Sequence, residues 1–415
     1  MKTVKDLMKE ENAEANIVWF RQMQGWTYDK KIYHAEEVAK SYYNEIVNKR
    51  KANVHVSVGG LDSQVLHYFL ESLGLPVSCI SCSSLEDKSN QAAHKRIKTE
   101  MDTTYATWYY DQGALTPAEV TAIDDPQQRE KEQNVLDKIP EKPEFYFLKP
   151  LMSKVEVLNR FGWPVLSKET AGKIALLQNP TEKNKTVRHA IITGETGEYG
   201  GYQKNSRMKM SQKWLNLFGG ADSEGAAAGY AAAPFKVSDK CCYYLKEKPC
   251  DDWAKKHNSY PYLGLMASEH GRREKSLSMH LCNYYGKSTT RSAPFAIFDR
   301  QDLLQLALDL RVPVPDIYGE IVRDTDGTLR TTKAQRTGCT MCGFGIHLEQ
   351  RPHRFDRLKK SNPEEWAFWM KHVCKDESGE WYGWGRVLDY IGVGWEDDPS
   401  GNLAGQLTLE DICKH

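Results

Sequence analysis

Four of the chain's ten cysteines stand in two close pairs, Cys241-Cys242 and Cys339-Thr340-Met341-Cys342. A Cys-x-x-Cys pair lets two thiolates reach one metal centre from a tight turn. Adjacent cysteines diverge and chelate one small ion poorly, but they can reach two corners of a larger iron-sulfur cube. The pattern therefore predicts a 4Fe-4S cluster held by Cys241, Cys242, Cys339 and Cys342, with a tetrathiolate zinc site or simple burial as the plainer alternatives. Upstream, Val56-Ser57-Val58-Gly59-Gly60-Leu61-Asp62-Ser63 is a glycine turn. Backbone N–H groups at a helix N-terminus, unobstructed by side chains, point at an anion and complement its charge. Gly59 and Gly60 would permit close approach of a phosphate, and Ser63 would donate a hydroxyl. The turn has neither the Gly-Lys-Ser/Thr ending of a Walker loop nor the Gly-x-Gly-x-x-Gly of the dinucleotide fingerprint.

These groups need elements to position them. Ala35, Val38, Ala39, Tyr42 and Ile46 recur at helical spacing ahead of Lys49-Arg50-Lys51. Val54-His55-Val56 is a short β-branched strand running straight into the glycines, and Val65, Leu66, Phe69 and Leu70 form the buried face of a following helix. Pro76 to Ser81 fits the next parallel strand after a right-handed crossover. The expected fold is α/β with a doubly wound, mainly parallel sheet and helical additions at both ends. Serial boundaries follow: an N-terminal helical extension at 1–50, a nucleotide-binding domain with insertions at 51–330, and a Cys-x-x-Cys and Trp-rich segment at 331–415. Pro117 to Pro143 reads as a surface excursion. Gly219 to Gly225 and the alanines after it read as a flexible loop or lid, or as a short helix.

The 415 residues and 40% hydrophobic content suit two or three domains, or one large α/β domain with insertions, with a substantial core. No apolar run approaches the roughly 20 residues of a membrane span, and Met1 to Asp6 lacks a signal-peptide stretch, so the expectation is a cytoplasmic protein with no membrane partner. In that setting paired cysteines point to metal ligation rather than disulfides. Formal net charge is zero, which leaves nucleic-acid binding to local patches.

The order strand, Ser-Val-Gly-Gly-Leu-Asp-Ser, helix resembles the PP-loop of the adenine-nucleotide alpha-hydrolase superfamily, whose pattern is Ser-Gly-Gly-x-Asp-Ser. Tyr262 to Arg273 resembles the Gly-x-Arg-x-x-Glu-Ser-x-x-Arg segment of the phosphoadenosine-phosphosulfate-reductase-like branch. Cys241-Cys242, with Lys246, Pro249 and the distant Cys339-x-x-Cys342, is similar to the cluster pattern of adenylylsulfate reductases. Ala293 to Asp299, before Asp302-Leu303-Leu304, is similar to the stretch that follows there. The resemblance implies that Ser57, Gly59, Gly60, Leu61, Asp62, Ser63 and Arg273 hold ATP, with Asp62 positioning Mg2+ or phosphate, and that Asp62, Glu269 and Arg272 serve catalysis. Val58 departs from the loop pattern, and Met266 and His270 stand where an arginine and a serine are expected.

Sulfonucleotide reductases carry a degraded loop and a catalytic cysteine in a C-terminal tail. This chain keeps Gly-Gly-x-Asp-Ser and has only Cys413 near its end. The resemblance therefore implies an ATP pyrophosphatase that adenylates an acceptor for sulfur transfer, closest in logic to the DNA phosphorothioation enzymes, served by a cysteine desulfurase or another sulfur donor. The alternatives are a sulfonucleotide reductase and a non-catalytic nucleotide-sensing subunit of a larger modification or defence complex. Lys204, Arg207, Lys209 and Lys213 near Trp214, and Arg351 to Lys360, are candidate nucleic-acid patches, or solvated helix faces. Trp366, Trp369, Trp381, Trp384 and Trp395 read as a small packing domain.

Overall fold

The computed structural model describes residues 4–196, 208–269, 271–286 and 289–396, without the side chains of 4–13, 271 and 272. Two compact units emerge, each discontinuous: Met1–Lys149 with Pro249–Cys339, and Pro150–Lys248 with Thr340–His415. They interleave along the chain, where the sequence reading divided it serially at residues 50 and 330.

The first unit is built on a six-stranded sheet. Its strands are β1 (Asn53–Ser57), β2 (Ser78–Ser81), β3 (Phe145–Phe147), β4 (Ser259–Tyr262), β5 (Asn283–Tyr285) and β6 (Thr290–Ser292), in spatial order β3-β2-β1-β4-β6-β5. Every pairing is parallel except β5 with β6. Val56 stands opposite Cys79 on one side and Tyr262 on the other. Val54, His55 and Val56 are all buried, as a central parallel strand covered on both faces requires. His55 is accommodated there by a 2.8 Å bond between its Nδ1 and Ser259 Oγ, and burial pushes its pKa down to about 3.

Helices α1 (Val4–Gln24) and α2 (Tyr28–Tyr43) precede the sheet, α2 passing into a π-helical turn at Asn44–Lys49. The expected apolar stripe, Ala35, Val38, Ala39, Tyr42 and Ile46, is buried throughout, and Tyr262 Oη donates to Ala39 O at 2.8 Å. Helix α3 (Leu61–Ser72) follows β1, α4 (Lys88–Thr104) follows β2, and α5 (Arg300–Asp309) packs on α3. The 117–143 stretch forms two short, mostly exposed helices, Pro117–Thr121 and Pro126–Leu136.

The second unit has its own core around Trp163 and Trp384, whose rings meet edge to face at 4.7 Å. Leu158, Phe218 and Val237 share that core with Phe355, Met370 and Trp395. The Trp-rich segment is therefore completed by residues about two hundred positions earlier, rather than forming a domain by itself. Of the two readings of Gly219 to Gly225 and the alanines after it, the short helix is the one seen. Ser223–Ala227 is a short helix, and a Cβ on Gly220 would fall 2.1 Å from Tyr230 O, so the turn is packed against its neighbour.

Candidate nucleotide loop and cysteine turn

The chain runs outward from β1 to β2 and β3, then returns to add β4 on β1's other side. The winding therefore reverses between β1 and β4, and open α/β sheets bind ligands outside the strand carboxyl ends at such a point. Residues 58–63 leave the carboxyl end of β1 there, and residues 263–269 leave that of β4. A Cβ on Gly264 would meet Asp62 O at 2.9 Å and Ser63 N at 3.1 Å, so the two loops touch through backbone. Ser57, Gly59, Gly60, Leu61, Asp62, Ser63, Glu269 and Arg273 are thus gathered at one end of one sheet. The side chain of Arg272 and all of His270 lie outside the described residues.

Ser63 works inside the turn. Its hydroxyl accepts the Gly59 N–H at 2.8 Å and donates to Gly60 O at 2.9 Å, closing the loop on itself. Gly59 O accepts from His94 Nε2 at 2.8 Å and Gln64 Nε2 at 3.1 Å, while His94 Nδ1 meets Ser83 Oγ at 2.7 Å. The Leu61 N–H, first of the α3 amides, donates to Tyr318 Oη at 2.9 Å. The amides of Gly60, Asp62 and Ser63 have no protein acceptor among the described residues. They remain for an anion at the helix N-terminus, where the dipole favours it.

Charge is arranged around this turn. Asp62 Oδ1 accepts from Arg300 Nη1 at 2.8 Å, and Arg300 Nη2 donates to Gln335 O at 3.0 Å. Glu269 pairs with Arg273 and, at 3.5 Å, with Arg336. Three guanidinium groups thus face two carboxylates. The Asp62 side chain keeps 31% of its surface open, yet crowding around its carboxyl withdraws water and pushes its pKa up. Arg300 and Arg336 oppose that shift, and Glu269 reinforces it. His94, Arg300, Tyr318, Arg336 and Thr337 escaped the sequence reading, because each reaches the loop from far along the chain; only the closeness of Arg336 and Thr337 to Cys339 offered a hint.

Cys241, Cys242 and Cys342 belong to the second unit. In the second unit, Trp163 to Leu166 runs between two partners: Trp163 bridges Val237 and Leu166 bridges Phe344. Trp163 N–H donates to Lys236 O at 2.8 Å, and Gly345 N–H to Leu166 O at 2.7 Å. The stretches carrying Cys241-Cys242 and Cys342 are therefore anchored on opposite sides of one four-residue segment. Lys154 Nζ donates to Thr340 O and, at 2.8 Å, to Met341 O, while Arg354 Nη1 donates to Cys342 O at 3.2 Å. Met341 takes a left-handed φ of 54° inside the Cys-x-x-Cys turn and buries its side chain. A Cβ on Gly343 would fall 2.1 Å from the Trp384 ring. Burial opposes the charge on Lys168, but Cys242 and Glu247 beside it prevail and raise its pKa. Cys339 closes the first unit. Among the described residues no three His, Cys, Asp or Glu side chains are gathered as for a metal ion.

Of the basic patches, Lys204 and Arg207 lie outside the described residues, as does Cys413. Arg351 and Arg354 are engaged with Asp356 and Glu349, while Lys213 and Lys359 lie over the rings of Trp214 and Trp366. No helix among the described residues is long and apolar enough to cross a membrane. No protein-family model, curated protein sequence or solved structure matches the chain.

Proposed function

We propose that the chain is an ATP pyrophosphatase of the adenine-nucleotide alpha-hydrolase kind, which adenylates an acceptor, probed first as nucleic acid, for sulfur transfer. The observation that carries this reading is the Gly59-Gly60 turn at the switch point of the sheet, with the Gly60, Asp62 and Ser63 amides lacking an acceptor among the described residues and two carboxylates and three arginines around them. Backbone amides and guanidinium groups suit the pyrophosphate, and Asp62 with Glu269 suits its Mg2+. An acceptor oxygen attacking the α-phosphorus would expel pyrophosphate, and a sulfur nucleophile from a donor protein would then displace AMP. Preorganised positive charge at the leaving pyrophosphate is the main help such a loop gives.

Cys241, Cys242, Cys339 and Cys342 are the residues that would hold a 4Fe-4S cluster. The two anchored turns and the cation at Lys168 suit a thiolate donor set. Held by these thiolates, such a cluster would supply structural order and a local negative field.

The test is the product formed from ATP and Mg2+ by anaerobically purified protein. With water in the acceptor's place at the α-phosphorus, AMP and pyrophosphate should form, and Asp62→Ala should reduce their rate at least about a hundredfold, the scale of losing one electrostatic contact in a transition state. Cys413→Ser should leave the rate unchanged. Sulfite release from adenylylsulfate that requires Cys413 and ignores ATP would replace this reading with a reductase.

A further inference from the structure

Two successive peptide units of the glycine loop are held in different ways. In the Gly60–Leu61 unit both ends are engaged: Gly60 O accepts from Ser63 Oγ at 2.9 Å and from Gln64 N at 3.2 Å, and the Leu61 N–H donates to Tyr318 Oη at 2.9 Å. The Gly59–Gly60 unit is held at one end. Gly59 O accepts from His94 Nε2 at 2.8 Å and from Gln64 Nε2 at 3.1 Å, while the Gly60 N–H has no acceptor among the described residues. The unit is trans, so its carbonyl and its N–H point to opposite sides. Fixing the first therefore aims the second.

The glycines cannot supply that restraint themselves. A peptide between two glycines has no Cβ on either side to confine its plane, and it turns over at little steric cost. The two side-chain donors confine it instead, and both are buried and held in turn. His94 Nδ1 meets Ser83 Oγ at 2.7 Å, Gln64 Nε2 also donates to Asn90 Oδ1 at 3.2 Å, and Asn90 Nδ2 donates to Thr337 Oγ1 at 3.3 Å. Gly59 O can only accept, so His94 carries hydrogen on Nε2 and Gln64 presents its nitrogen. Gln64 Oε1 is left buried with no donor among the described residues, a destabilising state that marks the side chain as placed for its nitrogen. Turned over, the same peptide would present Gly59 O to an anion and withdraw the Gly60 N–H. We propose that His94 and Gln64 are positioning residues of the loop: by holding Gly59 O they keep the Gly60 N–H facing the candidate anion site, where it donates to the pyrophosphate part of the nucleotide. The proposal deepens the nucleotide reading above and rests on it for its ligand.

The experiment uses the full chain with isotope-labelled glycine, and inorganic pyrophosphate with Mg2+ as the probe. Two responses are recorded: the shift of the Gly60 amide resonance, and the Kd for pyrophosphate by calorimetry. Wild type should bind the probe and shift that resonance. His94→Leu and Gln64→Leu each remove one donor while filling its space, and each should weaken binding at least about tenfold, the lower end for a hydrogen bond to a charged group, and diminish the Gly60 shift. Two variants guard against one failing to fold. His94→Gln, which keeps an N–H donor on a flexible stem, should restore both responses. A merely structural role would lower the melting temperature and leave the affinity and the Gly60 shift of the folded variants at wild-type values. AMP formation from ATP, with wild-type affinity and Gly60 shift in both His94→Leu and Gln64→Leu, would overturn the positioning and leave the nucleotide reading. Pyrophosphate binding that shifts Gly60 and depends on both side chains, with no AMP formed from ATP, would uphold the positioning and remove the cleavage of ATP. A wild-type chain that binds no pyrophosphate would overturn the positioning, and AMP formation would then decide the nucleotide reading by itself.

Discussion

Gly59 and Gly60 occupy one turn, yet the space around them differs. A Cβ on Gly60 collides with Tyr318 Oη at 2.6 Å, whereas one on Gly59 finds only Glu86 Oε1 at 3.7 Å, an ordinary contact. Protein packing thus explains Gly60, and only an approaching ligand would explain Gly59. Gly59→Val should leave the melting temperature close to wild type and remove ATP binding by calorimetry; retained affinity would place the nucleotide elsewhere. Asp62 carries the pH dependence. Crowding raises its pKa and Arg300 restrains that rise, so the ionised form, which the proposed Mg2+ role needs, is lost, as pH falls, above the usual aspartate range of roughly 4. Removing the restraining cation raises the value further. The acidic limb of the rate of AMP formation should therefore lie above that range in wild type and move to still higher pH in Arg300→Gln.

At the scale of elements, the site depends on two loops meeting backbone to backbone at adjacent strand ends. Gly264 makes this contact, since any side chain there would strike the Asp62 carbonyl and the Ser63 amide. Neither neighbour is a flexible side-chain tip, so the loop after β4 would have to withdraw from the start of α3. Gly264→Ala should cost about 1 to 3 kcal/mol in urea unfolding, the usual range for overpacking, and weaken ATP binding together with it. Gly343 is the corresponding close approach at the cysteine turn, where the ring of Trp384 fills the space a Cβ would take.

At the scale of the whole molecule, the described residues form two cores, one around the parallel sheet and one around Trp163 and Trp384. Trp384 is fully buried, and its edge-to-face contact with Trp163 joins the early and late stretches of the second unit. Trp384→Ala should destabilise that unit by about 3 to 5 kcal/mol. Hydrogen exchange should quicken first at Trp163, Ser238 and Gly345, whose amides pair across the cysteine-bearing stretches. Iron bound per chain should fall in the same variant, while amides of β1 and β4 keep their protection. Equal loss of protection in both units would show one cooperative core.

Local chemistry made much of the first unit legible. The stripe from Ala35 to Ile46, the short strand at Val54 to Val56 and the apolar face of α3 each repeat at the period of their element, and period is a property of neighbouring residues. The glycine turn between β1 and α3 was readable for the same reason. What surrounds that turn was not. Arg300, Tyr318 and Thr337 reach Asp62, Leu61 and Gly60 from more than two hundred residues away, and no local pattern marks a contact that exists only after the sheet has formed. The second unit was hidden by the same principle: an insertion and a C-terminal segment share one core because neither stretch can bury its tryptophans alone, and only tertiary packing joins them.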